Sequence, residues 1–258
     1  MTVRKTAAEK ALLLILGLNA ASAFGQSTPQ RTLQNEPLSQ KVTYPIALLT
    51  KLTLENKYSP SQWNVPVGEN QVEGELLLPF IAFSRQNLAR IKVIFQTNSS
   101  DGTHGLSEAE IFDLLMTERG STAVGAGITA HITAENSTQL GTVAPGPAVG
   151  AVFKHERWKY GLFNQNFLSD TFAQTELQPI LSYGFNEKWS AEIGDAQYTY
   201  DWKKHRVTLI PLSGQLNRIL SLESQQIQLF FRGQYNLKNE SGSDKWTLSA
   251  GFTLIVNQ

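Results

Sequence analysis

Apolar and polar residues alternate along most of the chain, most regularly at its end. From Trp246 onward every second residue is apolar: Trp246, Leu248, Ala250, Phe252, Leu254 and Val256. The interleaved set is Lys245, Thr247, Ser249, Gly251, Thr253 and Ile255, mostly small or polar. A period of two fits an extended strand, whose side chains point to opposite faces in turn. The run is longer than an average soluble strand. It matches the roughly 9–11 residues that cross a bilayer at a tilt.

The same pattern recurs upstream. Expected strands cover residues 45–58, 69–83, 89–97, 108–117, 123–133, 146–154, 158–168, 174–183, 189–202, 206–216, 225–237 and 245–258. Stretches rich in Pro, Gly, Asn and Ser separate them. Twelve strands are an even number, as single-chain bacterial barrels require. The predicted fold is therefore all-β: an antiparallel, up-and-down transmembrane β-barrel formed as one domain by residues 41–258. Two stretches stay open. The start of the first strand, Pro45-Ile46-Ala47-Leu48-Leu49, also reads as a short helix or an inward plug. Glu108–Thr117 has local helix propensity but needs to be a strand to partner its neighbours.

Aromatic residues cluster near strand ends, where a membrane interface would hold them. Tyr198, Tyr200 and Trp202 share a face, and Trp158, Tyr183, Phe185 and Trp189 flank short turns. An aromatic-rich soluble β-sandwich is the competing architecture. The N-terminus argues for export. Arg4, Lys5 and Lys10 precede an apolar run from Ala11 to Ala21, and Ala21-Ser22-Ala23 is a small-x-small cleavage signal. Residues 1–23 read as a signal peptide and 24–40 as a polar periplasmic lead-in. No later run is long enough for a transmembrane helix.

Composition narrows the picture further. The chain has no Cys, which removes disulfides, thiolate chemistry and a lipid-anchor site. Its 22 basic and 22 acidic residues cancel, so no basic excess points to nucleic acid. Charged residues are 17%, below the usual ~25%.

Several motifs carry a family resemblance. They are Ala144-Pro145-Gly146-Pro147-Ala148-Val149 with Trp158-Lys159-Tyr160-Gly161, then Leu177-Gln178-Pro179-Ile180-Leu181-Ser182-Tyr183, then Thr199-Tyr200-Asp201-Trp202 with Val207-Thr208-Leu209-Ile210-Pro211-Leu212. Their order resembles a family of bacterial outer-membrane β-barrel transporters related to meta-pathway phenol-degradation proteins, often mislabelled neuromedin U. Gly105-Leu106-Ser107-Glu108 resembles its Gly-Leu-Gly-Asp, with departures at Ser107 and Glu108. Ser249, Gly251, Leu254 and Val256 resemble the assembly signal of such barrels, although the chain ends on Asn257-Gln258 rather than an aromatic. The resemblance implies a bacterial outer-membrane location and a cargo that tends toward hydrophobic compounds. It implies outer-membrane lipid and the barrel-assembly machinery, through Lys245–Gln258, as partners.

Charge on the lipid face is costly, so the polar set should face the lumen. The expected lumen-lining residues are Glu73, Glu75, Arg90, Lys92, His131, Gln197, Asp201, Arg232 and Gln234. Asp195, Thr199 and Gln228 share their parity. Across a narrow bore, Arg90, Lys92 and Arg232 should pair with Glu73, Glu75 and Asp201. No Ser, His and acid form a recognisable nucleophilic motif, and no spacing suggests a metal site or a phosphate loop. The expectation is a passive channel or transporter for a small or hydrophobic organic solute, with no enzyme activity and no cofactor. A structural or surface-interaction barrel with a closed lumen is the alternative.

Overall fold

The computed structural model describes Val42 and residues 45–256, apart from 65–67, 99–103, 137–138, 223–224, 239 and 241–242. The expected signal peptide (1–23), lead-in (24–40) and last two residues lie outside that range. The regular structure among the described residues is all β. The strands are β1 (Thr50–Gln62), β2 (Glu69–Ala82), β3 (Arg85–Asn98), β4 (Gly105–Arg119), β5 (Thr122–Asn136), β6 (Gln139–His155), β7 (Trp158–Leu168) and β8 (Ala173–Gly184). Then come β9 in two pieces (Trp189–Glu192 and Tyr198–Asp201), β10 in two pieces (Arg206–Leu209 and Pro211–Leu222), β11 (Gln225–Asn236) and β12 (Asp244–Val256).

Each strand pairs antiparallel with the next, and β1 pairs with β12, so the sheet closes. Thr50 lies opposite Val256, and Leu54 opposite Phe252. Closure leaves no free edge whose N–H and C=O groups would lack partners. It needs close strand contact at particular points. A Cβ on the inward-facing Gly251 would stand 2.9 Å from the Cα of Glu55, so only glycine fits there.

The pleat sorts the side chains. Leu52, Leu54, Ile91, Phe95, Val149, Leu162, Leu216, Phe231, Leu248 and Phe252 are exposed on the outer face. Lys51, Glu55, Arg90, Lys92, Gln165, Gln228 and Arg232 are buried on the inner one. A soluble sandwich would do the opposite. An apolar band that runs around the whole wall is the signature of a barrel solvated by lipid. Aromatics gather toward both ends of the band. Trp158 packs on Tyr183 at 4.7 Å at one end, and Tyr200 on Trp202 and Tyr235 on Trp246 at 4.7 and 4.4 Å at the other.

Thr50, Val256 and tight turns such as Phe83–Ser84 share one end, here the terminal end. Gln62, Glu69, Asn98, Gly105, Asn236 and Asp244 mark the far end.

Three segments refine the expectations. Glu108–Thr117 lies within strand β4. The first strand begins at Thr50 rather than Pro45, because the chain before it turns into the barrel. Ile46 and Ala47 are fully buried there among Leu77, Leu88, Phe112, Leu114, Met116, Val152 and Phe163, and Val42 and Leu49 rest on Ile219 and Ile255. One side of the terminal half of the lumen is thus packed with apolar side chains. Burying each such aliphatic side chain stabilises by about 1.5–3 kcal/mol.

The third segment is the expected continuous strand 189–202, which breaks between Glu192 and Tyr198. Glu192 lies opposite Ser182, and Tyr198 opposite Leu177. One residue more stands on β9 than on β8 across this interval. The excess behaves as a bulge, bending the strand and re-aiming its side chains. Pro179 on β8 has no N–H to offer the ladder. Gly194 supplies a positive φ of 66°. The segment therefore folds inward.

Candidate functional site

The site is the middle of the lumen, where this inward fold meets the charged side chains of the wall. Gln178 donates from Nε2 to Asp195 Oδ1 at 2.8 Å, and Ser213 Oγ donates to the Ile193 carbonyl. These bonds hold Asp195 in the bore. A Cβ on Gly194 would come within 2.7 Å of Arg232 Cδ, so the backbone itself abuts the arginine.

Around this point runs a lattice of ion pairs. Arg90 donates to Glu110 at 2.9 Å and to Gln165 at 3.1 Å, and its guanidinium lies 4.5 Å from the centre of the Phe112 ring. Lys92 reaches Glu110 at 3.4 Å and Asp195 at 3.9 Å. Lys57 pairs with Glu73 at 2.5 Å, Lys51 with Glu75 at 3.3 Å, and Arg232 with Glu55. Alternation puts these residues inside, and closure brings together strands distant in sequence. Pairing and hydrogen bonding offset the desolvation cost of each buried charge.

Two cavities flank the constriction. The one toward the terminal end is small, about 80 Å³, and touches Val42, Pro45, Glu75 and Arg90. The one toward the far end is about 400 Å³ and touches Lys92, His131, Gln197 and Gln234. Asp195 and Arg232 line both.

The structure places the nine expected residues as follows. Glu73, Glu75, Arg90 and Arg232 line the smaller cavity, and Lys92, His131, Gln197, Gln234 and again Arg232 the larger. Asp201 faces inward at the far rim. The expected pairing is largely redrawn. Arg90 meets Glu75 only at 3.9 Å and Glu110 more closely, while Glu73 goes to Lys57. Asp201 accepts the backbone N–H groups of Lys203 and Lys204 at 2.9 and 3.0 Å, which fixes a turn rather than spanning the lumen. Short acidic side chains at a strand end satisfy the nearest turn donors first. Glu55, Lys57 and Glu110 were missed as partners. Their inward parity was the available signal.

No family model matches the sequence, and no curated protein matches it. Solved structures do. The chain is similar to an outer-membrane channel from Pseudomonas putida F1, with 13% identity over 81% of this chain and 96% of that one, at a TM-score of 0.58. Outer membrane phospholipase A from Escherichia coli matches at 10% identity over 86% and 97%, with a TM-score of 0.45. The Salmonella typhi outer membrane phospholipase matches at 10% over 88% and 99%, with a TM-score of 0.46. At these identities the likeness concerns the fold: this is an outer-membrane-type barrel.

One expectation is corrected. The sequence pointed away from an enzyme, yet solved barrels matched by this chain include phospholipases, so non-enzyme status does not stand as a property of the architecture. The physical reason is that catalysis on a barrel wall needs only a few side chains from different strands, which no linear motif has to reveal.

Proposed function

We propose that the chain is an outer-membrane channel that passes a small organic solute passively through its lumen. The observation that carries this reading is the pair of polar cavities meeting at Asp195 and Arg232 inside a closed, apolar-walled barrel. In barrels of this kind both chain ends and the short turns face the periplasm. On that orientation a solute enters the larger cavity from outside and meets the constriction next. Twelve strands enclose a bore wider than a filled eight-stranded barrel and narrower than a porin. The similarity to the Pseudomonas putida channel supports the reading. The resemblance of residues 144–212 to phenol-pathway barrel transporters supports a weakly polar, hydrophobic cargo. The implied partners are the surrounding outer-membrane lipid and the assembly machinery, acting on Lys245–Gln258.

A second reading, a closed barrel that works through its loops, is favoured by one observation: Val42 and residues 45–49 pack one side of the terminal half of the lumen. Liposome swelling separates the two. Vesicles containing the protein should swell in small solutes, with rates falling steeply as solute size rises. Swelling no faster than in protein-free vesicles, for every solute, would leave the closed barrel as the better account.

A further inference from the structure

The larger cavity is not electrically balanced. Its basic groups, Lys57, Lys92 and Arg232, are already paired with Glu73, with Glu110 and Asp195, and with Glu55. Glu108 on β4 and Glu176 on β8, four strands apart around the sheet, line the same space. Glu176 is 9% exposed, has no ion-pair partner among the described residues, and its Oε2 is buried without a hydrogen bond. Glu108 meets only the His131 imidazole there, Nε2 to Oε2 at 3.5 Å.

His131 is a second, independent observation. It is 6% exposed and lines the cavity, and its Nδ1 has no hydrogen-bond partner among the described residues. Its ring lies flat against Phe172, centroids 4.9 Å apart and planes 9° apart, with Phe167 at 5.4 Å. The cavity therefore combines one buried carboxylate without an ion-pair partner among the described residues, a half-exposed one that meets His131, an imidazole nitrogen without a hydrogen bond there and an aromatic face. A buried carboxylate is costly without a cation. An ammonium group offers three donors, and an aromatic face attracts both a cation and a flat ring. The described residues contain no group of three side chains placed to hold a metal ion.

We propose that this cavity binds an organic primary ammonium ion with a small planar apolar body. The ammonium sits at Glu108 and Glu176, and the body lies against Phe172. As a statement about transported cargo, this rests on the channel reading; as a statement about binding, it does not.

The test uses the full-length mature protein purified in detergent, titrated calorimetrically with benzylammonium chloride, neutral benzyl alcohol and sodium phenylacetate. Benzylammonium should bind at least tenfold more tightly than either. Glu176→Gln, which keeps the side-chain shape, should weaken it by about tenfold to a hundredfold, the worth of a charge-assisted hydrogen bond. Phe172→Leu, in the far-end loop, should weaken it as well, and Glu156→Gln in an exposed turn at the other end should not. Equal binding of the alcohol and the ammonium, or unchanged binding in a folded Glu176→Gln protein, overturns the proposal. So does calcium chloride binding as tightly as benzylammonium. Bilayer currents from the same preparations separate the two ideas. Selective ammonium binding without current defeats the channel and keeps the site, whereas current without selective binding keeps the channel and defeats the site.

Discussion

Arg90 shows what a residue inside this barrel does. It is 2% exposed and ties β3 to β4 through Glu110 and to β7 through Gln165, while its guanidinium faces Phe112. Removing one partner of a buried pair leaves an uncompensated charge, at a cost of about 3–5 kcal/mol. Arg90→Met should therefore lower the denaturant midpoint of unfolding clearly, and retained wild-type stability would contradict this role. Asp113 gives the opposite prediction. It stands on the outward parity of β4, between Phe112 and Leu114 of the inner face, and its Oδ1 is buried without a hydrogen-bond partner among the described residues. Acidic groups on a lipid face are mildly unfavourable. Asp113→Leu should leave stability unchanged or raise it in the same assay. The inward parity of Arg90, Lys92 and Arg232 was legible from alternation alone. Apart from Arg90 with Glu75, their partners were not: Glu55 lies 177 positions from Arg232 in the chain, and only barrel closure and register bring the two together.

At the scale of elements, two departures from plain alternation create the site. The bulge in β9 needs Gly194 at φ 66°. Gly194→Ala adds left-handed strain of roughly 1–2 kcal/mol and a methyl group 2.7 Å from Arg232 Cδ. The variant should fold with reduced stability and an altered open-state current. A current identical to wild type would show that this backbone does not set the constriction. The sequence pattern read through the bulge because Tyr198, Tyr200 and Asp201 keep the expected parity on its far side. Pro179, the visible signal, lies on the neighbouring strand. The segment at Pro45–Leu49 is the second departure. Its apolar run matched both a strand and an inward plug, and what decides for the plug is an apolar lumen wall supplied by Leu77, Leu88, Phe112 and Leu114, all far along the chain. Ile46→Asp would place a carboxylate in that apolar nest, which is unfavourable by several kcal/mol unless the segment leaves it. Conductance should rise in this variant while the barrel remains folded. A fall or no change would mean that the segment does not restrict the path.

The molecule as a whole is a closed cylinder with apolar flanks, aromatic residues at both ends and a charged interior. Strand number, antiparallel order and outer face followed from the period of two and from turn chemistry, because lipid on one side and a polar lumen on the other force strict alternation. Lumen width and obstruction depend on how long side chains from opposite walls meet, and local pattern does not encode that. Such a cylinder should resist detergent in the cold. The native protein should migrate differently on a gel before and after boiling, and identical mobility would argue against closure. Single-channel current across a planar bilayer, comparing wild type with Arg232→Ala, reads whether the lumen is a path narrowed at Asp195 and Arg232. Discrete steps are expected in both. The variant's steps should be larger and more selective for cations, because a guanidinium leaves the narrowest point and Glu55 stays. Folded, boil-sensitive protein that yields no steps in either form would contradict such a path.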